Sequence, residues 1–129
     1  MTRPALTFLL VDDDDMIRAY LRQILRHEGH EVVGQCGTLA EADELVRRLK
    51  PDVVFLDINL HGGNGLNGLE YLREQSPDSQ FVMLSGESTP DNVRTAIARG
   101  ARDFLTKPFS ADHVLHALER LQKQAARSA

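Results

Sequence analysis

Hydrophobic and polar positions along the chain alternate between two regimes. Short β-rich runs occur five times: "ALTFLLV" (5–11), "HEVVGQC" (30–36), "DVVFLD" (52–57), "QFVMLS" (80–85) and "RDFLTK" (102–107). Between them apolar residues recur at helical spacing. Ile17, Tyr20, Leu21, Ile24 and Leu25 trace the inward face of a first helix, and Leu39, Ala42, Leu45, Val46 and Leu49 that of a second. A last helix turns Val114, Leu118 and Leu121 inward and runs into the polar tail "QKQAARSA". The third helix, around Leu69 and Leu72 and closed by Ser76-Pro77, is expected to be the shortest.

Residues with known end-capping chemistry mark the boundaries. Thr38 followed by Glu41 reads as a capping box, Thr89-Pro90 as an N-cap with a first-turn proline, and Ser110 as another N-cap. Gly29 and Gly100 read as left-handed helix stops. Strands alternating with helices predict parallel pairing with right-handed crossovers, hence an open α/β sheet covered on both faces. In such sheets ligands bind at the carboxyl ends of the strands, beside a topological switch point.

Those ends carry chemistry. The first run stops at four consecutive aspartates, 12 to 15, the third at Asp57, the fourth at Ser85 and the fifth at Lys107-Pro108. Two carboxylates about 4 Å apart repel by roughly 4 kcal/mol at an effective dielectric near 20, so something must offset Asp12 and Asp13. An all-oxygen cluster with Asp57 suits a hard cation such as Mg²⁺. Asp14 and Asp15 are expected in the first helical turn, where acids favour the helix dipole. Beside a metal, Asp57 is the candidate nucleophile toward a phosphoryl group, with Ser85 and Lys107 supplying a donor and positive charge.

Bulk properties narrow the field. The 129 residues fit one domain, and 42% hydrophobic with 26% charged residues is ordinary for a globular chain. A net charge of −4 with scattered Arg and Lys gives no footprint for nucleic acid. Cys36 is the only cysteine, which excludes an internal disulfide and suggests a buried, inert thiol. "MTRPALTFLLV" suits neither a signal peptide nor a membrane span, so the cytoplasm is the expected compartment. The histidines, 27, 30, 61, 113 and 116, show no zinc pattern and are expected at the surface; only His61, in the loop after Asp57, stands within reach of the site.

Taken together, "LLVDDDD", "DVVFLDINL", "FVMLSGES" and "GARDFLTKPF" resemble the receiver domain of two-component response regulators, the CheY-like fold, over about residues 6–122. The resemblance implies a doubly wound five-stranded parallel sheet in the order 2-1-3-4-5 with five helices. The chain, 1–129, is then a single receiver domain, with 123–129 a polar tail or the start of a linker. It implies phosphorylation of Asp57 by a sensor histidine kinase or histidine phosphotransfer protein. The cofactor would be Mg²⁺, with Mn²⁺ able to replace it, held by Asp12, Asp13, Asp57 and the Asn59 backbone carbonyl. Asp13 would bind directly and Asp12 mainly through water. The resemblance also implies a cis Lys107-Pro108 peptide, a switch through Ser85 and Phe104, and tuning of phosphoryl lifetime by Asn59 and Glu87.

Such a domain is a phosphoacceptor that catalyses its own phosphorylation and slow dephosphorylation, and is not an enzyme acting on other substrates. Output would run through a downstream protein partner or an effector domain not in view, without direct contact to nucleic acid or membrane. The segment "DINLHGGNGLNGLEYL" departs from the family: His61 replaces a usual proline, and the loop is about three residues longer. Two rival readings exist. "GNGLNG" (63–68) fits G-x-G-x-x-G, with Glu87 at the distance of a ribose-binding acid, but its glycines begin six residues after Asp57 and the chain lacks room for a substrate domain. The other rival is an interaction module that has kept the fold without the chemistry, against which the retained acids and lysine argue.

Overall fold

The computed structural model describes residues 4–61 and 63–128, with side chains through 123. Its elements run β1 (Thr7–Val11), α1 (Asp15–His27), β2 (Glu31–Cys36), α2 (Leu39–Leu49), β3 (Val53–Asp57), β4 (Asn59–Leu60), β5 (Gly63–Asn64), α3 (Gly65–Gln75), β6 (Gln80–Ser85), α4 (Pro90–Ala98), β7 (Asp103–Thr106) and α5 (Ala111–Ser128). The five long strands form one parallel sheet in the order β2-β1-β3-β6-β7, as the expected 2-1-3-4-5 order requires.

Period-two alternation in the central strands sends side chains to two separate cores. Leu9, Val11, Val54, Leu56, Phe81 and Met83 pack on one face beneath α2, α3 and α4. Phe8, Leu10, Val53, Phe55, Val82 and Leu84 pack on the other with Leu21 and Leu25 of α1 and Val114, Ala117, Leu118 and Leu121 of α5. Every residue of β3 is buried, which makes it the central strand and places its last residue, Asp57, under the sheet's carboxyl edge.

Most end signals hold. Thr89 accepts from the Asn92 N–H at 3.1 Å with Pro90 in the first turn, and the His113 N–H reaches Ser110 Oγ at 3.3 Å. Gly29 and Gly100 take φ of +83° and +105°. Thr38 caps α2, receiving the Glu41 N–H at 3.2 Å, but the Glu41 carboxylate accepts from the Thr38 hydroxyl at 2.9 Å, whereas a full capping box would use the Thr38 backbone N–H.

Several expectations need correction. Asp14 is the N-cap of α1, not a first-turn residue: its Oδ1 takes the N–H groups of Met16 and Ile17 at 2.8 and 3.2 Å, leaving Asp15 alone in the first turn. α3, at 11 residues, is longer than α4, at 9, because Asn64 caps it and Leu66 joins Leu69 and Leu72 in the core. His30 is buried, not at the surface; its Nδ1 accepts the Leu6 N–H at 3.0 Å and its ring meets Phe8 edge-on. Tyr20, predicted inward, is 41% exposed and leans on Phe109 instead. The other four histidines are exposed, and Cys36 is buried with its thiol pushed up to about 11, by burial first and the nearby Glu41 charge second.

The extra loop residues are structured. β4 and β5 form a short antiparallel hairpin that leads directly into α3, tied by the Gly65 N–H to the Ile58 carbonyl at 2.7 Å. Its glycines are sites of close approach. A Cβ at Gly63 would lie 2.7 Å from Leu39 Cδ1, one at Gly68 2.9 Å from Leu39 Cδ2, and one at Gly65 would fall onto the Asp57 carbonyl oxygen. Packing against α2 and β3 thus accounts for the glycine spacing that suggested a dinucleotide fingerprint.

Candidate functional site

β1 and β3 are neighbours at the switch point of the sheet, so the residues that follow their apolar stretches emerge side by side. Asp12, Asp13 and Asp57 each offer an oxygen, and these oxygens lie within 4.8 Å of one another. Asp12 is fully buried, Asp57 is 2% exposed, and Asp13 is partly open to solvent. From β7, Lys107 reaches across the edge, placing its Nζ 2.8 Å from Asp12 Oδ2 and 3.1 Å from Asp57 Oδ2. The Lys107-Pro108 peptide is cis.

The electrostatics are unbalanced. Burial pushes the Asp57 carboxyl above the usual carboxylate range, and the Asp12 charge adds to the shift against the opposing pull of Lys107 and the Asn59 N–H. Burial also works to lower the Lys107 pKa, but the Asp12 and Asp57 carboxylates outweigh it and hold the ammonium above its ordinary value. Three carboxylates against one ammonium leave two negative charges uncompensated. Asp12 Oδ2 is completely buried, and its partner is the Lys107 ammonium that Asp57 also shares. A donor set made only of oxygen and two negative charges left over after Lys107 fit a hard divalent cation.

Backbone geometry fixes the acids. The Asp14 N–H donates to Asp12 Oδ1 at 2.9 Å, and the Asn59 N–H donates to Asp57 Oδ1 at 3.1 Å. Arg18 of α1 donates through Nη1 to the Asp12 carbonyl and through Nη2 to Asp15. No sequence motif pointed to Arg18; only its place about one turn beyond Asp14 could have suggested it.

Ser85, at the end of β6, is 1% exposed, and its Oγ accepts the Glu87 N–H at 2.9 Å. Glu87 and Asn59 are both exposed on the loops bordering the cluster. Phe104 of β7 is half-buried and packs against the core beneath α2 to α4. His61 stands at the hairpin turn and contacts Asp13, with Nδ1 2.7 Å and the backbone N–H 3.1 Å from the same oxygen, Oδ2. The strand ends therefore bring Asp12, Asp13, Asp57 and Lys107 into contact, while Ser85 ends the adjacent strand with its carbonyl on the Lys107 N–H at 2.7 Å and its hydroxyl on Glu87, and Phe104 lies within β7.

The model for the response regulator receiver domain family matches residues 8–119. The chain belongs to this family. Over 118 residues the receiver is 36% identical to the chemotaxis protein CheY of Listeria monocytogenes, covering 92% of this chain and 99% of that one. It is also 36% identical over 115 residues to the nitrate/nitrite response regulator protein NarL of Escherichia coli, of which it spans 53%. Among solved structures it resembles NtrX of Brucella abortus at 35% identity and a TM-score of 0.87, covering 97% of this chain and 28% of that one. A CheY-like receiver from Methanospirillum hungatei shares the fold at a TM-score of 0.88, with 98% of this chain and 100% of that one covered and 24% identity. Receivers thus stand alone in some relatives and as one part of a longer chain in others. No helix among the described residues is long and apolar enough to cross a membrane.

Proposed function

We propose that this receiver accepts a phosphoryl group on Asp57 from a sensor histidine kinase or a histidine phosphotransfer protein, in the cytoplasm and with Mg²⁺ as the working ion. The observation that supports this most directly is the position of Asp57: buried, raised in pKa, 3.1 Å from a lysine ammonium and beside two further acids with charge left to neutralise. Asp12, Asp13, Asp57 and the Asn59 carbonyl would hold the ion. When bound there, a divalent ion offsets the acids and supplies positive charge for the oxygens of an incoming phosphoryl group.

In the transfer, an Asp57 carboxylate oxygen forms a bond to phosphorus as the P–N bond of the phosphohistidine breaks, and the bond's electron pair leaves with the imidazole, which takes up a proton. Lys107 pairs with a phosphoryl oxygen, trading part of its contact with Asp12 and Asp57 for the new charge. Ser85 turns from the Glu87 N–H toward another phosphoryl oxygen, opening space into which Phe104 moves, and this alters the α4, β7 and α5 face read by a protein partner or an effector domain. Hydrolysis of the acyl phosphate by a water held near Asn59 and Glu87 returns the free carboxylate.

Intact-mass measurement after incubation with acetyl phosphate and Mg²⁺ tests the assignment. One added phosphoryl group in the wild type and none in Asp57→Ala is expected; equal incorporation in both removes Asp57 as the acceptor. Failure of the wild type to take up any phosphoryl group with Mg²⁺ present would favour the chemically silent interaction module.

A further inference from the structure

The proposed function leaves His61 without a task, yet the fold holds it in place. The hairpin pairs Asn59 with Asn64 and Leu60 with Gly63, Leu60 is buried, and Gly63 is pressed against Leu39. The two short strands flanking His61 are thereby anchored beside Asp13. There the imidazole and the backbone N–H of His61 converge on Asp13 Oδ2, at 2.7 and 3.1 Å, while the rest of the ring stays in solvent. The cluster itself calls for an ion on separate grounds, since its three carboxylates share a single lysine ammonium.

We infer that His61 makes this site selective among divalent ions: it positions Asp13 when Mg²⁺ is bound and donates an imidazole nitrogen when the ion accepts nitrogen, as Co²⁺ does. The inference rests on the reading of Asp12, Asp13 and Asp57 as ion ligands. His61 Nδ1 lies 2.7 Å from Asp13 Oδ2, so an imidazole nitrogen stands beside an oxygen that would hold the ion. Mg²⁺ has little affinity for imidazole, whereas first-row transition ions bind it readily. A nitrogen donor next to an otherwise all-oxygen set therefore adds affinity for one class of ion and not for the other.

The test is calorimetric titration of the full chain with MgCl₂ and, separately, CoCl₂, for wild type, His61→Ala and Asp13→Asn, with the Co²⁺ absorption spectrum recorded alongside. His61 is exposed, so its replacement leaves the cores intact. In His61→Ala, Co²⁺ affinity should fall about tenfold or more with a changed Co²⁺ spectrum, while Mg²⁺ affinity shifts by no more than about threefold. Asp13→Asn should weaken both ions, which separates this site from binding to other surface histidines. Unchanged Co²⁺ affinity in His61→Ala, or an equal loss for both ions, overturns the inference. Absence of Mg²⁺ binding by the wild type would instead overturn the underlying reading of the cluster.

Discussion

Lys107 Nζ stands 3.1 Å from Asp57 Oδ2, and it is shared, because the same ammonium also serves Asp12. One cation thus holds two buried carboxylates in the absence of a metal, and the apportioning of that charge governs how substitutions at the site act on stability.

Asp57→Asn is expected to stabilise the metal-free protein. Removing one acid leaves Lys107 matched to Asp12 and ends the repulsion that helps raise the Asp57 pKa. The sign follows from linkage: a carboxyl whose folded pKa is raised favours folding when protonated, and that contribution is lost as pH rises through the folded value, so at pH 7 the ionised group costs stability. Urea unfolding in EDTA should show a gain on the order of 1 kcal/mol at pH 7 that shrinks toward pH 4. A loss of stability at pH 7 would contradict the charge imbalance.

Lys107→Ala should have the opposite effect on the free protein and a different one on the ion. Two buried acids lose their counter-charge, so the metal-free form should weaken by about 3 kcal/mol. Mg²⁺ uptake should persist, since no ligand is removed, and added Mg²⁺ should restore much of the lost stability. Thermal melts with and without Mg²⁺ check both halves, and a variant that no longer responds to Mg²⁺ would make Lys107 part of the ion's support.

His30 predicts a separate acid sensitivity. Burial holds its pKa below the ordinary value, with Glu28 opposing, and protonation would occupy the Nδ1 that accepts from Leu6. The folded pKa lies below the unfolded one, so this stability is complete above about pH 6.5 and is lost as pH falls from there through the folded pKa. In His30→Asn, which retains an acceptor and does not titrate, the fall in denaturation midpoint between pH 7.5 and 5.5 should be smaller than in wild type. Equal slopes would remove His30 as the source.

Gly65→Ala should be costly although Gly65 opens a helix. The added methyl would meet the Asp57 backbone carbonyl, which cannot move without shifting the end of β3. A loss of about 2 kcal/mol in urea unfolding is expected, with phosphoryl uptake slowed in the same variant. Gly63→Ala, which meets only the end of the Leu39 side chain, should lose less.

The sheet, its order and the meeting of Asp12, Asp13, Asp57 and Lys107 were legible because each depends on the end of an apolar run, and run ends are visible in composition. His30 was not legible: its burial depends on pairing with Leu6 and Phe8 across 24 residues, which no local pattern encodes. Tyr20 satisfied the helical period yet lies at the margin of the face, beside Phe109 at the edge of the core that α1 and α5 cover. The hairpin after Asp57 was hidden because glycines forced by tight packing and glycines of a loose loop read alike in one sequence. The close approach of Leu39, far away in the chain, is what tells them apart.

That single leucine carries a constraint on engineering. Its two terminal methyl groups rest against Gly63 and Gly68, so the start of α2 and the inserted segment fit as a key fits a lock. Trimming the segment to a shorter length would strand the isobutyl group over a void, and enlarging either glycine would evict it. Grafts that transplant this segment onto another scaffold should therefore carry residue 39 along with it.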